Sequence, residues 1–324
     1  MTCRSGKYPQ GIAVPGFQDS CYCGSSLLTL ADGNADCDIR HCSACGYLRS
    51  TYRQDVSRCR IQEEHPSAYQ GRDGRRFGSL IGRLRAACAA YRVRRALLGL
   101  QGVGRIVDFG CGQGYFLEAL RAAGHDCVGI EISEVTAGRA MGKGLRVEKS
   151  LDALTEHSFT GAASVHVIEH LPDPGQILDG LRRVVEPDGS FYFEVPNFAS
   201  WQGRLFGRRW LHCEAGLHIH HFTPPALAGL LAAYGYRIEK LSTFSFEHGL
   251  LGWVQSFFNL VFPYNRFFRM VVLNRPWADK LCCWPEFLIF PGVLAISGVL
   301  LVVEALAGRG AVLRVEGRIS GPVA

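Results

Sequence analysis

Three groups of residues in this chain combine types and spacings that suit chemistry. The first is Asp108-Phe109-Gly110-Cys111-Gly112-Gln113-Gly114, an acid entering a turn with a glycine at every second position. Glycines take positive φ and let the backbone approach a ligand closely. The dinucleotide pattern G-x-G-x-x-G is not met, because its last glycine falls on Tyr115, which argues against a nicotinamide enzyme. The second group is histidine-rich: His166-Val167-Ile168-Glu169-His170, then His218-Ile219-His220-His221. Histidine titrates near neutral pH and suits a proton-transfer step. The third group is Cys21-Tyr22-Cys23-Gly24 with Cys42-Ser43-Ala44-Cys45-Gly46, which reads as two knuckles of a zinc ribbon. Four thiolates satisfy tetrahedral zinc, and a metal organises a segment too small for its own core. The first knuckle is C-x-C, one residue shorter than the second, and Cys37 is a possible substitute ligand. A closed thiolate site leaves no open position, so its expected role is structural.

The elements that must position these groups follow from periodicity. Strand-like segments at Arg105–Phe109, Asp126–Ile132, Ala163–Val167, Ser190–Val195 and Tyr236–Phe244 alternate with helix-like segments near Gly114–Ala123, Glu134–Gly142, Gln176–Val185 and Pro224–Tyr234. This alternation predicts an α/β fold with a mostly parallel sheet. Thr223 followed by Pro224 is a good helix start, a capping hydroxyl with proline at the first helical position. The glycine turn then lies at the carboxyl end of a strand, where open α/β sheets bind ligands.

The acid–glycine turn resembles the first motif, D-x-G-x-G-x-G, of class I S-adenosylmethionine (SAM)-dependent methyltransferases, whose fold is Rossmann-like. The resemblance implies that Asp108, Gly110, Gly112 and Gly114 bind the amino-acid part of SAM. The second strand ends in Val128-Gly129-Ile130-Glu131-Ile132, and the family keeps an acid there for the ribose hydroxyls, which maps to Glu131. A carboxylate accepts two such bonds, and the separation of about 20 residues suits one helix plus one strand. Cys111, Ser150, Leu151 and His166 complete the candidate cofactor-binding set. The segment Glu169-His170-Leu171-Pro172-Asp173-Pro174 resembles the EHLxDP stretch of a subgroup that includes ubiquinone-pathway O-methyltransferases. Methyl transfer is an in-line displacement in which the enzyme positions the acceptor and sometimes removes its proton. His170, His221 and His166 are the candidates for base or acceptor binding; the competing reading is a hydrogen bond within its own loop for His170 and a helix cap for His221. Some related enzymes hold a divalent cation with E-x-x-E-H. Here His166 replaces the first Glu, and a nitrogen-richer set favours a transition metal over magnesium. Zinc-ribbon fronts also occur on similar methyltransferases, with Cys21, Cys23, Cys42 and Cys45 as the expected ligands.

The organisation expected along the 324 residues is a zinc-ribbon-like segment (1–60), a linker with a basic amphipathic helix (61–100), a SAM-binding core (101–245), an apolar helical insert (246–310) and a last core strand with tail (311–324). Thirteen cysteines and the absence of an apolar stretch within Met1–Gln10 fit a reducing compartment without a disulfide framework. The helix expected near Phe77–Leu98 puts Phe77, Leu80, Ile81, Leu84, Cys88 and Tyr91 on one face and carries seven arginines, Arg75 to Arg95, without an acid; packing against the sheet with solvated charges is the favoured reading. Phe287 to Val303 is an uncharged, mostly apolar run close to bilayer-spanning length. Basic and aromatic residues between it and Leu250–Phe262 suit a membrane interface. Ala311–Gly317 is the candidate last strand and must pair beside Tyr236–Phe244, so the insert is expected to enter and leave the membrane on one face; a soluble lid over the acceptor pocket is the alternative. A net charge of +6 does not demand a nucleic-acid partner. The [N/D]-P-P-[Y/F/W] motif of base-methylating enzymes is replaced here by Glu169-His170-Leu171-Pro172, so no nucleic-acid partner is expected. The expected acceptor is a lipid, a quinone-like molecule or a lipid-linked glycan at the cytoplasmic membrane face; the alternatives are a soluble sugar or small-molecule acceptor, and a SAM-binding, membrane-associated protein that is not an enzyme.

Overall fold

A computed structural model describes residues 21–25, 28–34, 37–52, 83, 87, 90–97, 104–213, 218–271 and 284–320. A seven-stranded sheet runs β10-β11-β8-β7-β4-β5-β6. Its strands are β4 (Arg105–Phe109), β5 (Asp126–Ile130), β6 (Val147–Glu148), β7 (Phe159–Val165), β8 (Val185–Pro196), β10 (Tyr236–Ser242) and β11 (Val312–Ile319). β11 is antiparallel to both its neighbours, while β4, β5, β6, β7 and β8 pair in parallel. This is the Rossmann-like sheet that the resemblance implies, mostly parallel with one reversed strand near its edge. Because side chains alternate across a strand, neighbouring residues feed opposite cores: Ile106, Ala163 and Tyr192 pack on one face, Val107, Ala162 and Phe191 on the other. Burying each of the larger side chains among them, such as Ile106, Val107 and Phe191, contributes about 1.5–3 kcal/mol.

Helices α1 (Tyr115–Ala122), α2 (Glu134–Met141), α3 (Pro174–Val184) and α5 (Pro224–Ala233) connect the strands, with short α4 (Trp201–Phe206) after β8. The local signals explain their starts. Ser133 accepts from Thr136 N, and Asp173 accepts from Gly175 N and Gln176 N ahead of α3. Thr223 precedes Pro224 in extended conformation, but its side chain makes no capping bond. β7 begins four residues before the expected Ala163: Thr160 Oγ1 accepts from the amides of Gly104 and Arg105, tying its first turn to β4. β5 and β10 each end two residues early, at Ile130 and Ser242.

The chain passes from β4 outward to β5 and β6, then returns to β7 on the other side of β4. A crevice therefore opens beyond the carboxyl ends of β4 and β7, the place where such sheets bind ligands. Both the glycine turn and His166 leave the sheet there.

The cysteine-bearing segment forms a second sheet, β1-β2-β3-β9, from β1 (Leu28–Asn34), β2 (Cys37–His41), β3 (Leu48–Tyr52) and β9 (His220–His221). Its last strand is thus contributed by the methyltransferase core. Most of the expected apolar face of the basic helix (Phe77, Leu80, Ile81, Leu84, Cys88) lies outside the described residues. Residues 90–97 are helical and pack on the sheet, with Val93 and Ala96 buried against Ile106 and Tyr192.

Between β10 and β11 lie α6 (Phe246–Val261), α7 (Arg266–Val271) and α8 (Trp284–Leu306). α6 and α8 are antiparallel: Gly249 abuts Leu301 and Glu304, while Phe258 and Phe267 pack with Phe290 and Val293. β10 and β11 are paired directly, with Ser242 opposite Arg314, so the insert leaves and rejoins the sheet at one end. α8 is 23 residues long and the one described helix apolar and long enough to cross a membrane, yet only 17% of its most apolar window is buried.

Candidate active site

The cofactor end is built by β4 and β5. Gly110 and Gly112 both have positive φ, 77° and 53°. A β-carbon on Gly110 would lie 2.3 Å from Val167 Cγ2, whereas one on Gly112 would meet nothing within 4 Å. Gly110 is therefore glycine for packing as well as conformation, and Gly112 borders open space. Glu131 holds this turn from the next strand, accepting from Gly112 N at 2.9 Å and Ser133 N at 2.7 Å. The amides of Gly110 and Cys111 donate to Ile130 O. Asp108 is 2% exposed, and its Oδ2 has no hydrogen-bond partner among the described residues. Burial, and then the charge of Glu131, push its carboxyl up to about 7. A buried acceptor left open is costly, and the ammonium of an amino-acid moiety would supply the missing donor. The residues present therefore fit SAM: Asp108 for the ammonium, the glycine turn for close approach, and Glu131 with spare lone pairs for a diol. Ser150 and Leu151 follow β6 at the same sheet end. Ser150 Oγ accepts from Asp152 N at 3.1 Å, and Leu151 is buried in the core. Cys111 is buried, and desolvation raises its thiol pKa above the ordinary range.

The histidines assemble on the other side of the crevice. His166 has φ 55°, an unusual conformation for a non-glycine residue. Its N–H donates to Glu194 O, and its ring lies between Glu169 (3.3 Å) and Glu194 (3.5 Å). Burial disfavours its charge, but bonds to the two carboxylates prevail and raise its pKa to about 9. Glu194 is in turn held by Arg314 at 3.2 Å and by the Tyr192 hydroxyl at 2.8 Å. Burial works against its charge; His166, Arg314 and Arg92 overcome it and keep the carboxylate ionised. His170 sits on a short helical turn, half-buried, with its ring 4.6 Å from that of His218. His218 Nδ1 bonds His212 O at 2.8 Å. His220 and His221 are buried within β9. Desolvation first, with nearby positive charge for His220, lowers their pKa values to about 3 and 4, so both stay neutral.

The structure thus separates the metal trio expected from sequence. Glu169, His170 and His218 bring donor atoms within 4.8 Å of one another, while His166 groups with Glu194 and His248. The second set faces Arg92, 2.9 Å from His248 Nε2, and Arg314 on Glu194, so like charge opposes a cation there. His248, His212 and Glu194 were not among the residues singled out from sequence. No local motif marks them; three separate elements bring them together.

The four ribbon thiols converge: Cys21 Sγ lies 3.5 Å from Cys45 Sγ, Cys23 Sγ lies 3.6 Å from Cys42 Sγ, and all four fall within 4.8 Å. Tetrahedral zinc with bonds of about 2.3 Å sets its sulfurs about 3.8 Å apart, so the donor set fits zinc. The C-x-C knuckle closes through Gly24 N donating to Cys21 O, as Gly46 N does to Cys42 O in the longer knuckle. Elemental analysis of the purified chain is expected to give one zinc per molecule, lost in Cys42→Ser.

A methyltransferase domain family model matches residues 80–241. The chain is 34% identical over 103 residues to the ubiquinone biosynthesis O-methyltransferase of Methylococcus capsulatus, a match covering 29% of this chain and 44% of that enzyme. It is 30% identical over 147 residues to the Paraburkholderia phymatum enzyme of the same name, covering 40% and 63%. The chain thus spans about half the length of these curated relatives. Among solved structures, a SAM-dependent methyltransferase from Archaeoglobus fulgidus aligns with a TM-score of 0.47 at 21% identity, covering 72% of this chain and 94% of that one. The chain belongs to the methyltransferase domain family. Its core is a SAM-dependent methyltransferase domain, to which the cysteine ribbon and the apolar insert are added.

Proposed function

We propose that this protein transfers a methyl group from SAM to a hydroxyl of a lipid, quinone-like or lipid-linked acceptor, working on a membrane surface. The observation that carries methyl transfer is the buried, unpartnered Asp108 oxygen beside an open glycine turn with Glu131 behind it. SAM supplies an electrophilic methyl group; the remaining tasks fall to this chain's side chains. Asp108, Gly112 and Glu131 orient the donor. His166, held protonated by Glu169 and Glu194, is a poor base and serves to fix the crevice wall. His220 and His221 are neutral but buried; both ring nitrogens of His220 are engaged, and His221 Nε2 is bonded to Ser50 Oγ. His170, the more exposed ring on this wall, is the residue we assign to acceptor positioning and proton removal.

Support for an apolar acceptor comes from where the insert sits. His248 of α6 packs its ring 4.1 Å from that of His166, so the helix that partners α8 also closes the crevice. α8 turns Glu286, Ser297 and Glu304 inward and leaves Leu288, Ile296, Val299 and Val302 exposed. A soluble helix shows the opposite arrangement; a helix seated in lipid shows this one. The ubiquinone-pathway names of the relatives are consistent with such an acceptor. The experiment is label transfer from methyl-tritiated SAM into fractionated cell extract. Label is expected in the organic phase, and its appearance in the aqueous fraction would instead support a soluble acceptor. His170→Ala is expected to lower the transfer rate by about a hundredfold with SAM affinity unchanged by calorimetry. A rate within a few-fold of wild type would remove His170 from the role.

A further inference from the structure

We infer that the metal-binding ribbon is the positioning element of the acceptor side of this active site, acting through His220 on the loop that carries Glu169 and His170. The inference rests on the methyl-transfer reading for its consequence, though not for its geometry. The ribbon sheet is incomplete without β9: Leu48 pairs with His221 and Arg49 with His220, and Ser50 N donates to Ile219 O at 2.9 Å. Two side chains of the ribbon reinforce this pairing. The Tyr47 hydroxyl bonds His220 Nδ1 at 2.5 Å, and Ser50 Oγ bonds His221 Nε2 at 3.2 Å.

From β9 the connections continue inward. His220 Nε2 bonds Leu171 O at 2.9 Å, and Ile219 N donates to Glu169 O at 2.9 Å. Tyr47, His220 and Leu171 therefore form a strut, buried at its Tyr47–His220 end, from the ribbon to the residues flanking His170. The metal end of the strut is equally direct. Tyr47 stands two residues after Cys45, and its carbonyl accepts from Cys42 N at 2.9 Å. Contact between ribbon and core is close: a β-carbon on Gly229 of α5 would lie 2.0 Å from Tyr22 O, and Cys21 and Cys42 are buried in the same cluster as Phe222 and Leu227.

The cofactor turn is held differently. Its bonds come from β5, through Ile130 O and Glu131. A two-residue strand such as β9 has too few bonds of its own to stay in place. A sheet this small buries little core of its own, and a metal held by the four thiols would order it. Loss of the metal should therefore loosen the acceptor wall and spare the SAM pocket.

The test is hydrogen exchange read by mass spectrometry on the full chain, as purified, after zinc extraction with 1,10-phenanthroline under reducing conditions, and after zinc is restored. Amides of 168–171 and 218–223 are expected to exchange at least about tenfold faster without zinc and to recover with it. Amides of 105–132 and SAM affinity are expected to stay unchanged. A second variant, Tyr47→Phe, keeps the cysteines. It is expected to retain zinc, to leave SAM affinity intact and to lower the turnover number about tenfold, since small misplacements of a reacting group are costly. The idea is overturned if 168–171 and 218–223 remain protected without zinc, or if 105–132 lose protection to the same extent. Tyr47→Phe turning over at the wild-type rate would equally overturn the strut. Exchange needs no turnover, so failure to detect methyl transfer would count against the catalytic reading and leave this one to be decided by protection.

Discussion

Asp108→Asn is expected to weaken SAM binding by about a hundredfold while making the ligand-free protein harder to unfold at pH 8. The two effects have one cause. In the ligand-free protein the Asp108 carboxyl is buried, has one oxygen without a partner and lies near Glu131. Its folded pKa of about 7 stands above the ordinary value of 3.8. For an acid with a raised folded pKa, the native state holds a proton that the unfolded state releases between about pH 4 and pH 7. Stability therefore falls as pH rises through that window, and the penalty is fully present above it, on the order of 4 kcal/mol. Asparagine carries no such charge, so the variant should match wild type in urea at pH 4 and exceed it at pH 8. Binding reverses the comparison. The ammonium of SAM pairs with the carboxylate, and a charge-assisted hydrogen bond is roughly twice as strong as a neutral one. Calorimetry should show the weaker affinity and, in wild type, release of a proton on binding near pH 6. Equal SAM affinity in the two proteins would place the methionine moiety elsewhere.

Much of the core was legible because its signals are local. The strand before Asp108, the glycine turn and the acid at Glu131 are each defined by a few consecutive residues, and the sheet places them as their order suggests. Boundaries shifted where a tertiary bond decided them, as when Thr160 ties the start of β7 to β4. The ribbon's dependence on the core was not legible. β9 is two residues long and pairs with residues more than 170 positions earlier (221 − 48 = 173), and nothing in the periodicity of His220-His221 announces a strand. The histidine wall was half legible: His166, His170 and His218 stand out by type, but His212 and His248 join them only in the fold, His212 from the segment after α4 and His248 from the insert. Glu304 reads in sequence as the charge that ends an apolar run. In the structure the helix continues past it, because Glu304 turns inward to the Trp253 indole at 2.7 Å and to Gln202.

Leu288→Glu combined with Ile296→Glu is expected to release the protein from membranes, lowering its partition into phosphatidylcholine–phosphatidylglycerol vesicles by at least about a hundredfold. Burial of one such side chain is worth about 1.5–3 kcal/mol, and two are replaced by charges that lipid excludes. Both residues are well exposed, 71% and 57%, so neither substitution touches the packing of α8 on α6. That packing rests on the inward stripe, Leu301 against Gly249 and Glu304 with Trp253, while Gln202 of α4 also bonds Glu304 and Arg266 of α7 pairs with Glu286. The variant should therefore stay folded in detergent, with an unchanged melting temperature and SAM affinity, while floating with vesicles far less than wild type. Wild type that remains monodisperse without detergent and ignores vesicles would make α8 a lid or an oligomer contact. A vesicle-bound wild type carries a further consequence. The insert leaves and returns beside β10 and β11, so the helices enter from one side and the sheet stays outside the bilayer. The histidine crevice, closed by His248 of α6, then opens close to the lipid surface. An acceptor anchored in that surface need move only its polar head to reach His170.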